Sequence, residues 1–265
     1  MPSADLGDLT LHYKEHGDGP PALGIMGFAL DQRYWATQVA GVTATHRFIT
    51  FDNRGVGRST GNAATSIDQM ADDAVRLLDH LGIDRAVVYG VSMGGAIAQR
   101  LVIDHPDRVS ALILALTFAR PIEFMRRQHA LARFILEHGG VRELTDASLI
   151  RMFTPAFFEV GQETIDRMVA ALFVEGDEGP AGVDVLMAQL DALDKHDVLV
   201  DLPRISCPTL VIGARMDVMV PGFASEEIAA AIPGAELVML ETGHGAGVEE
   251  MDAFNGAVAA FLARL

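Results

Sequence analysis

Short runs of apolar and β-branched residues alternate along this chain with longer stretches in which apolar positions recur every three or four residues. The short runs, at 9–13, 22–26, 48–51, 86–89, 111–115, 209–212 and 236–240, predict strands. Several are apolar throughout, as strands covered on both faces should be. Between two of them, Ile67, Met70, Ala74, Leu77, Leu78 and Leu81 follow helical spacing, with Ser66 and Gln69 placed as a capping box and Gly82 as a stop. A closing helix is predicted over 251–265, with Phe254, Val258, Phe261 and Leu262 on one face. Alternation of this kind predicts an α/β fold, a mostly parallel sheet flanked by helices.

The pattern changes over 118–197, where no strand is evident and amphipathic helical stretches at 123–137, 145–153, 162–174 and 183–193 follow one another. Gly139-Gly140, Thr154-Pro155 and 176–179 separate them. The organisation expected is a sheet domain from 1–117 and 198–265, interrupted by an all-helical cap at 118–197. The insert holds Phe118, Phe124, Phe134, Phe153, Phe157, Phe158 and Phe173, a bias expected of an apolar ceiling over a site.

Composition narrows the function classes. The 265 residues carry 20 Lys plus Arg against 36 Asp plus Glu, a formal charge of −16, which disfavours nucleic acid and anionic membrane surfaces as partners. One cysteine, Cys207, excludes an intrachain disulfide framework and fits a reducing compartment. The N-terminal residues lack the basic start and apolar run of a secretory signal, so a cytoplasmic protein is expected.

The candidate chemistry begins at Gly90-Val91-Ser92-Met93-Gly94-Gly95, which directly follows the strand at 86–89 and precedes a helical stretch. Gly-x-Ser-x-Gly between strand and helix is the pattern of a nucleophile elbow, a tight turn that lifts a serine hydroxyl above a sheet. The glycine spacing fits neither a Walker loop nor a dinucleotide fingerprint. A serine needs a base, commonly a histidine oriented by a carboxylate. His244, in Glu241-Thr242-Gly243-His244-Gly245 after the strand at 236–240, is placed for that role, and Asp217, in the loop leaving the strand at 209–212, for the acid. Open α/β sheets carry their sites outside the carboxyl ends of strands, and Ser92, Asp217 and His244 all occupy such ends. Asp191, Asp194 and Asp197 follow no strand and are weaker alternatives to Asp217. Cys207, ahead of Pro208 and a buried strand, reads as a packed thiol. No histidine spacing implies a metal.

On these motifs the chain resembles the α/β-hydrolase fold family over essentially its whole length. Asp52-Asn53-Arg54-Gly55-Val56-Gly57-Arg58-Ser59 resembles the family's Asp-x-Arg-Gly-x-Gly-x-Ser loop, and Gly243-His244 with Glu249 or Glu250 resembles its Gly-His-x-x-x-Glu ending. The passage from His196-Asp197 through 202–213 is similar to the return from cap to sheet in capped members. The resemblance implies an oxyanion hole from the amides of Met93 and Phe28. At Met26-Gly27 the chain departs from the common His-Gly of that turn, which leaves a backbone donor intact and places Met26 as a candidate pocket residue. Asp52 and Arg54 read as a structural pair or loop anchor rather than as catalysts.

The expected function is hydrolysis of a carboxylic ester or lactone with an apolar acyl group, without a cofactor. Met26, Phe118, Phe124, Phe153 and Phe157 are the candidate substrate-binding residues. The charge of −16 adds an expectation of neutral substrates. Cofactor-free haloperoxidase or perhydrolase chemistry, carbon–carbon bond hydrolysis, and non-catalytic binding of a small ligand are the alternatives that the resemblance leaves open.

Overall fold

The computed structural model describes residues 2–173 and 179–265. Among these, eight strands form one sheet in the order β1-β2-β4-β3-β5-β6-β7-β8. They are β1 (Ser3–Asp5), β2 (Thr10–His16), β3 (Pro21–Ile25), β4 (Arg47–Phe51), β5 (Ala86–Val91), β6 (Val109–Ala115), β7 (Thr209–Ala214) and β8 (Glu236–Leu240). β1 and β2 are antiparallel to their neighbours, and all pairings from β4 to β8 are parallel.

The central strands are mostly apolar because helices cover both faces, and the alternation of side chains sorts them into two cores. Leu23, Ile49, Val88, Leu112 and Val211 point into one core, with α2 (Ile67–His80) and α3 (Met93–Asp104). Ala22, Phe48, Val87, Ile113 and Ile212 point into the other, with α1 (Val39–Thr43) and α10 (Met251–Leu262). Before β8 runs α8 (Phe223–Ala231), and after it the short α9 (Ala246–Glu249). Among the described residues, no helix is long and apolar enough to cross a membrane.

Between β6 and β7 stand α4 (Glu123–His138), α5 (Val141–Met152), α6 (Pro155–Leu172) and α7 (Val183–Lys195). They have their own apolar contacts, in one cluster around Leu136, Leu144, Leu186 and Leu190 and another around Phe153, Ile165 and Val169. The cap is pinned to the loop after β4, where the Gly57 amide donates to the Pro180 carbonyl at 2.6 Å.

The differences from the sequence expectations have local causes. β1 is not foreseen, because three residues with one buried side chain, Ala4, carry no periodicity, and pairing with β2 alone makes them a strand. β2 extends through polar Lys14 and Glu15 to His16 because these residues pair with β4. The third cap helix starts at Pro155 rather than 162, since Thr154 caps it through the Phe157 amide and proline suits the first helical position. Ser66 caps α2 through the Gln69 amide, but Gln69 reaches back to the Thr65 amide at 2.8 Å rather than to Ser66. Residues 174 and 176, an expected helix end and break, lie outside the described residues.

Candidate active site

Ser92 occupies the junction between β5 and α3 with φ 54° and ψ −119°, a left-handed conformation that costs a non-glycine residue about 1–3 kcal/mol. The neighbouring glycines permit it. A side chain on Gly94 would overlap the Ile25 carbonyl, and one on Gly90 would overlap that of Gly94. The turn is fastened to β6 and its exit, for the Ser92 amide donates to the Ala115 carbonyl at 2.9 Å and the Thr117 hydroxyl donates to the Ser92 carbonyl at 2.7 Å.

Asp217 leaves the end of β7 with its side chain fully buried and three contacts to its carboxylate. Oδ1 accepts from the amides of Met219 at 2.7 Å and Val220 at 2.8 Å, and Oδ2 lies 2.6 Å from Nδ1 of His244. An ionised carboxylate only accepts, so it keeps a proton on Nδ1 and leaves Nε2 as the basic nitrogen of the ring. His244 lies beyond β8 between two glycines, and the reason is the cap: a Cβ on Gly243 would come 2.7 Å from the Met152 carbonyl, and one on Gly245 would strike the Phe153 ring.

Ser92 and His244 line one cavity beneath the cap, walled by Phe28, Phe118, Met125, Leu144, Leu190 and Met219. The turn after β3 lies against the elbow, since a Cβ on Gly27 would stand 3.2 Å from the Ser92 Cβ and 3.8 Å from the Met93 amide nitrogen. The amide of Met93 opens α3 and has no partner within the helix. A serine, a base held by a carboxylate, and backbone donors beside the serine form a set suited to acyl transfer.

A model of the α/β hydrolase fold matches residues 24–250. The chain belongs to the α/β-hydrolase fold family. It is 33% identical to 3-oxoadipate enol-lactonase 2 of Acinetobacter baylyi over 260 residues, 97% of this chain and 94% of that one. It is 29% identical to the carbamate hydrolase RutD assigned in Azorhizobium caulinodans, over 96% of each chain. The crystal structure of the enol-lactonase from Burkholderia xenovorans LB400 superposes with a TM-score of 0.89 at 30% identity, covering 99% of this chain and all of that one. The protein is an α/β-hydrolase enzyme, and hydrolysis is the activity class its relatives support.

The family motifs outside the cavity have structural partners in this hydrolase. The buried Asp52 accepts from the amides of Gln32 at 2.9 Å and Arg58 at 3.1 Å, which ties the loop after β4 to the segment after β3, and burial raises its pKa. Arg54 makes a buried two-pronged pair with Asp73 at 2.7 and 2.6 Å. Glu249 reaches the hydroxyl and amide of Thr154, at the start of α6, and so links the segment after His244 to the cap. Cys207 is half-buried, and burial raises its thiol pKa.

Of the five residues proposed from sequence as substrate contacts, Phe118 lines the cavity with the serine. Met26 is buried in the core beside α10, and its carbonyl accepts from Asn53. Phe124 is 51% exposed on α4. Phe153 and Phe157 pack on each other inside the cap at 5.1 Å between ring centres. Sequence reasoning also passed over the polar side of the cavity, formed by Gln128, His129, Ser148 and Arg151. Nδ1 of His129 lies 2.6 Å from Asp194, whose other oxygen is 2.8 Å from Arg133. Burial outweighs Asp194 and lowers the His129 pKa. The three- and four-residue spacing of Gln128 with Ala132, and of Ser148 with Leu144 and Arg151, marks common helix faces, but the pattern does not say that those faces meet the serine.

Proposed function

We propose that this hydrolase cleaves a carboxylic ester or lactone through an acyl-enzyme on Ser92. The observation that carries the reading is the 2.6 Å contact between Asp217 and His244, with His244 and Ser92 lining the same cavity. Nε2 of His244 takes the Ser92 proton as Oγ attacks the substrate carbonyl, and Asp217 stabilises the imidazolium that results. The amides of Phe28 and Met93 receive the oxyanion, where each such donor is worth about a hundred- to a thousand-fold in rate. His244 then gives its proton to the leaving oxygen, and the same base activates the water that frees the acid. Relatives named for enol-lactone and carbamate hydrolysis support an acyl carbonyl as the target. The apolar walls favour a hydrocarbon segment next to that carbonyl.

Incubation with an uncharged serine-directed phosphonate, followed by peptide mass analysis, tests the nucleophile. Mass added to the peptide that holds Ser92, together with loss of aryl-ester hydrolysis in Ser92→Ala and His244→Ala, is the expected result. Labelling elsewhere, or undiminished turnover in Ser92→Ala, would refute the reading.

A further inference from the structure

Arg151 is a cation inside an otherwise mostly apolar catalytic cavity. Its Nη1 donates to Gln128 Oε1 at 3.1 Å and its Nη2 to Ser148 Oγ at 3.3 Å, both neutral acceptors. A guanidinium has five N–H donors in a planar fork that matches a carboxylate, so these bonds leave most of its capacity unused. Among the described residues it has no carboxylate partner. The other cap arginines differ: Arg120 pairs with Glu227, Arg127 with Glu123, Arg133 with Asp191 and Asp194, Arg142 with Asp146, and Arg167 with Glu163, while Arg126 is exposed. The acids that hold the cavity's two histidines are already engaged, Asp217 by two amides and His244, and Asp194 by His129 and Arg133.

A partly buried charge without a counterion is costly, and burial indeed weakens the hold of Arg151 on its proton. An anion brought in by the substrate would remove that cost and complete the fork. Gln128 is itself fixed, its Nε2 donating to the Met219 carbonyl at 3.1 Å, next to the amide that holds Asp217. The cation is therefore held against the Asp217 loop from the cap side, in the cavity it shares with Ser92.

We propose that the substrate of Ser92 carries a free carboxylate, bound by Arg151 with Ser148 and Gln128, so that the preferred compounds are monoesters of dicarboxylic acids or lactones that bear a second, free carboxylate. This rests on the hydrolase reading above and reverses the preference for neutral substrates expected from the net charge. Arg151 acts as a binding and specificity residue, and the proton transfers stay with His244.

The test compares the 4-nitrophenyl monoester of a short dicarboxylic acid with its uncharged methyl diester, taking the ratio of their kcat/KM values. The wild-type ratio is expected to exceed one and to fall by about 30-fold or more in Arg151→Gln, because a buried charge-assisted contact is lost. Arg151→Lys, which keeps the charge without the fork, should retain an intermediate ratio. The corresponding free dicarboxylates should inhibit competitively, with an inhibition constant that rises in Arg151→Gln. A merely structural role would lower both esters together and leave the ratio unmoved, which would overturn the proposal, as would a tenfold wild-type preference for the diester. Phosphonate labelling of Ser92 separates the two failures: labelling with an unmoved ratio refutes the carboxylate site alone, whereas no labelling refutes the nucleophile.

Discussion

The amide of Gly245 donates to the carbonyl of Met152 at 2.7 Å, so the loop that carries His244 hangs from the end of a cap helix. Phe153, the next residue, packs where a side chain on Gly245 would go. Cap and His244 loop are consequently one mechanical unit, and the phenylalanine expected to line a pocket instead packs against the loop that carries a histidine. Gly245→Ala should lower kcat by about ten- to a hundred-fold through a displacement of His244 on the ångström scale. Phe153→Leu in the same chain should recover part of the loss, because the two sites share one space. Kinetics of the single and double variants check the coupling, and additive effects would contradict it.

Asp217→Asn preserves shape but replaces an acceptor-only group. Its amide can turn a donor toward His244 and favour the wrong ring tautomer, so kcat should drop on the order of ten-thousand-fold with little change in KM. Steady-state kinetics on an aryl ester measure this.

The strain at Ser92 can be separated from its chemistry. Ser92→Gly should relieve the left-handed backbone and raise the unfolding free energy by up to about 1 kcal/mol, while Ser92→Ala should not, and both should abolish hydrolysis. Thermal unfolding of the two inactive variants distinguishes them.

His196 is buried edge-on against Phe118, with ring centres 6.0 Å apart, and burial pushes its pKa down to about 4. The unfolded chain binds this proton more readily than the folded one, so the stability contributed is fully present above about pH 6.5. It is lost as pH falls from there to about 4, by roughly 3 kcal/mol. His129, lowered by burial as well, acts in the same direction. His196→Leu should flatten the dependence of Tm on pH in this window, and an unchanged slope would show that other groups set it.

The central strands, the order of the helices and the elbow at Ser92 are legible in the chain alone, because each is written in short-range terms. Apolar runs in β3 through β7 reflect burial on both faces, the spacing in α2 reflects one buried stripe, and Gly90 and Gly94 mark backbones that touch. The positions of Asp217 and His244 at strand ends follow from chain order in an α/β sheet. Periodicity tells which face of a helix is covered and not what covers it, and this is where the cap escaped the sequence. Phe153 and Met26 are apolar and buried as their types require, yet they face a neighbouring loop and the core. Net charge is a sum without positions: −16 for the chain says nothing of one arginine turned inward among apolar walls. Tertiary packing alone set Arg151, Gln128 and Ser148 in the cavity with Ser92, since the orientation of the cap over the sheet depends on contacts between residues far apart in the chain.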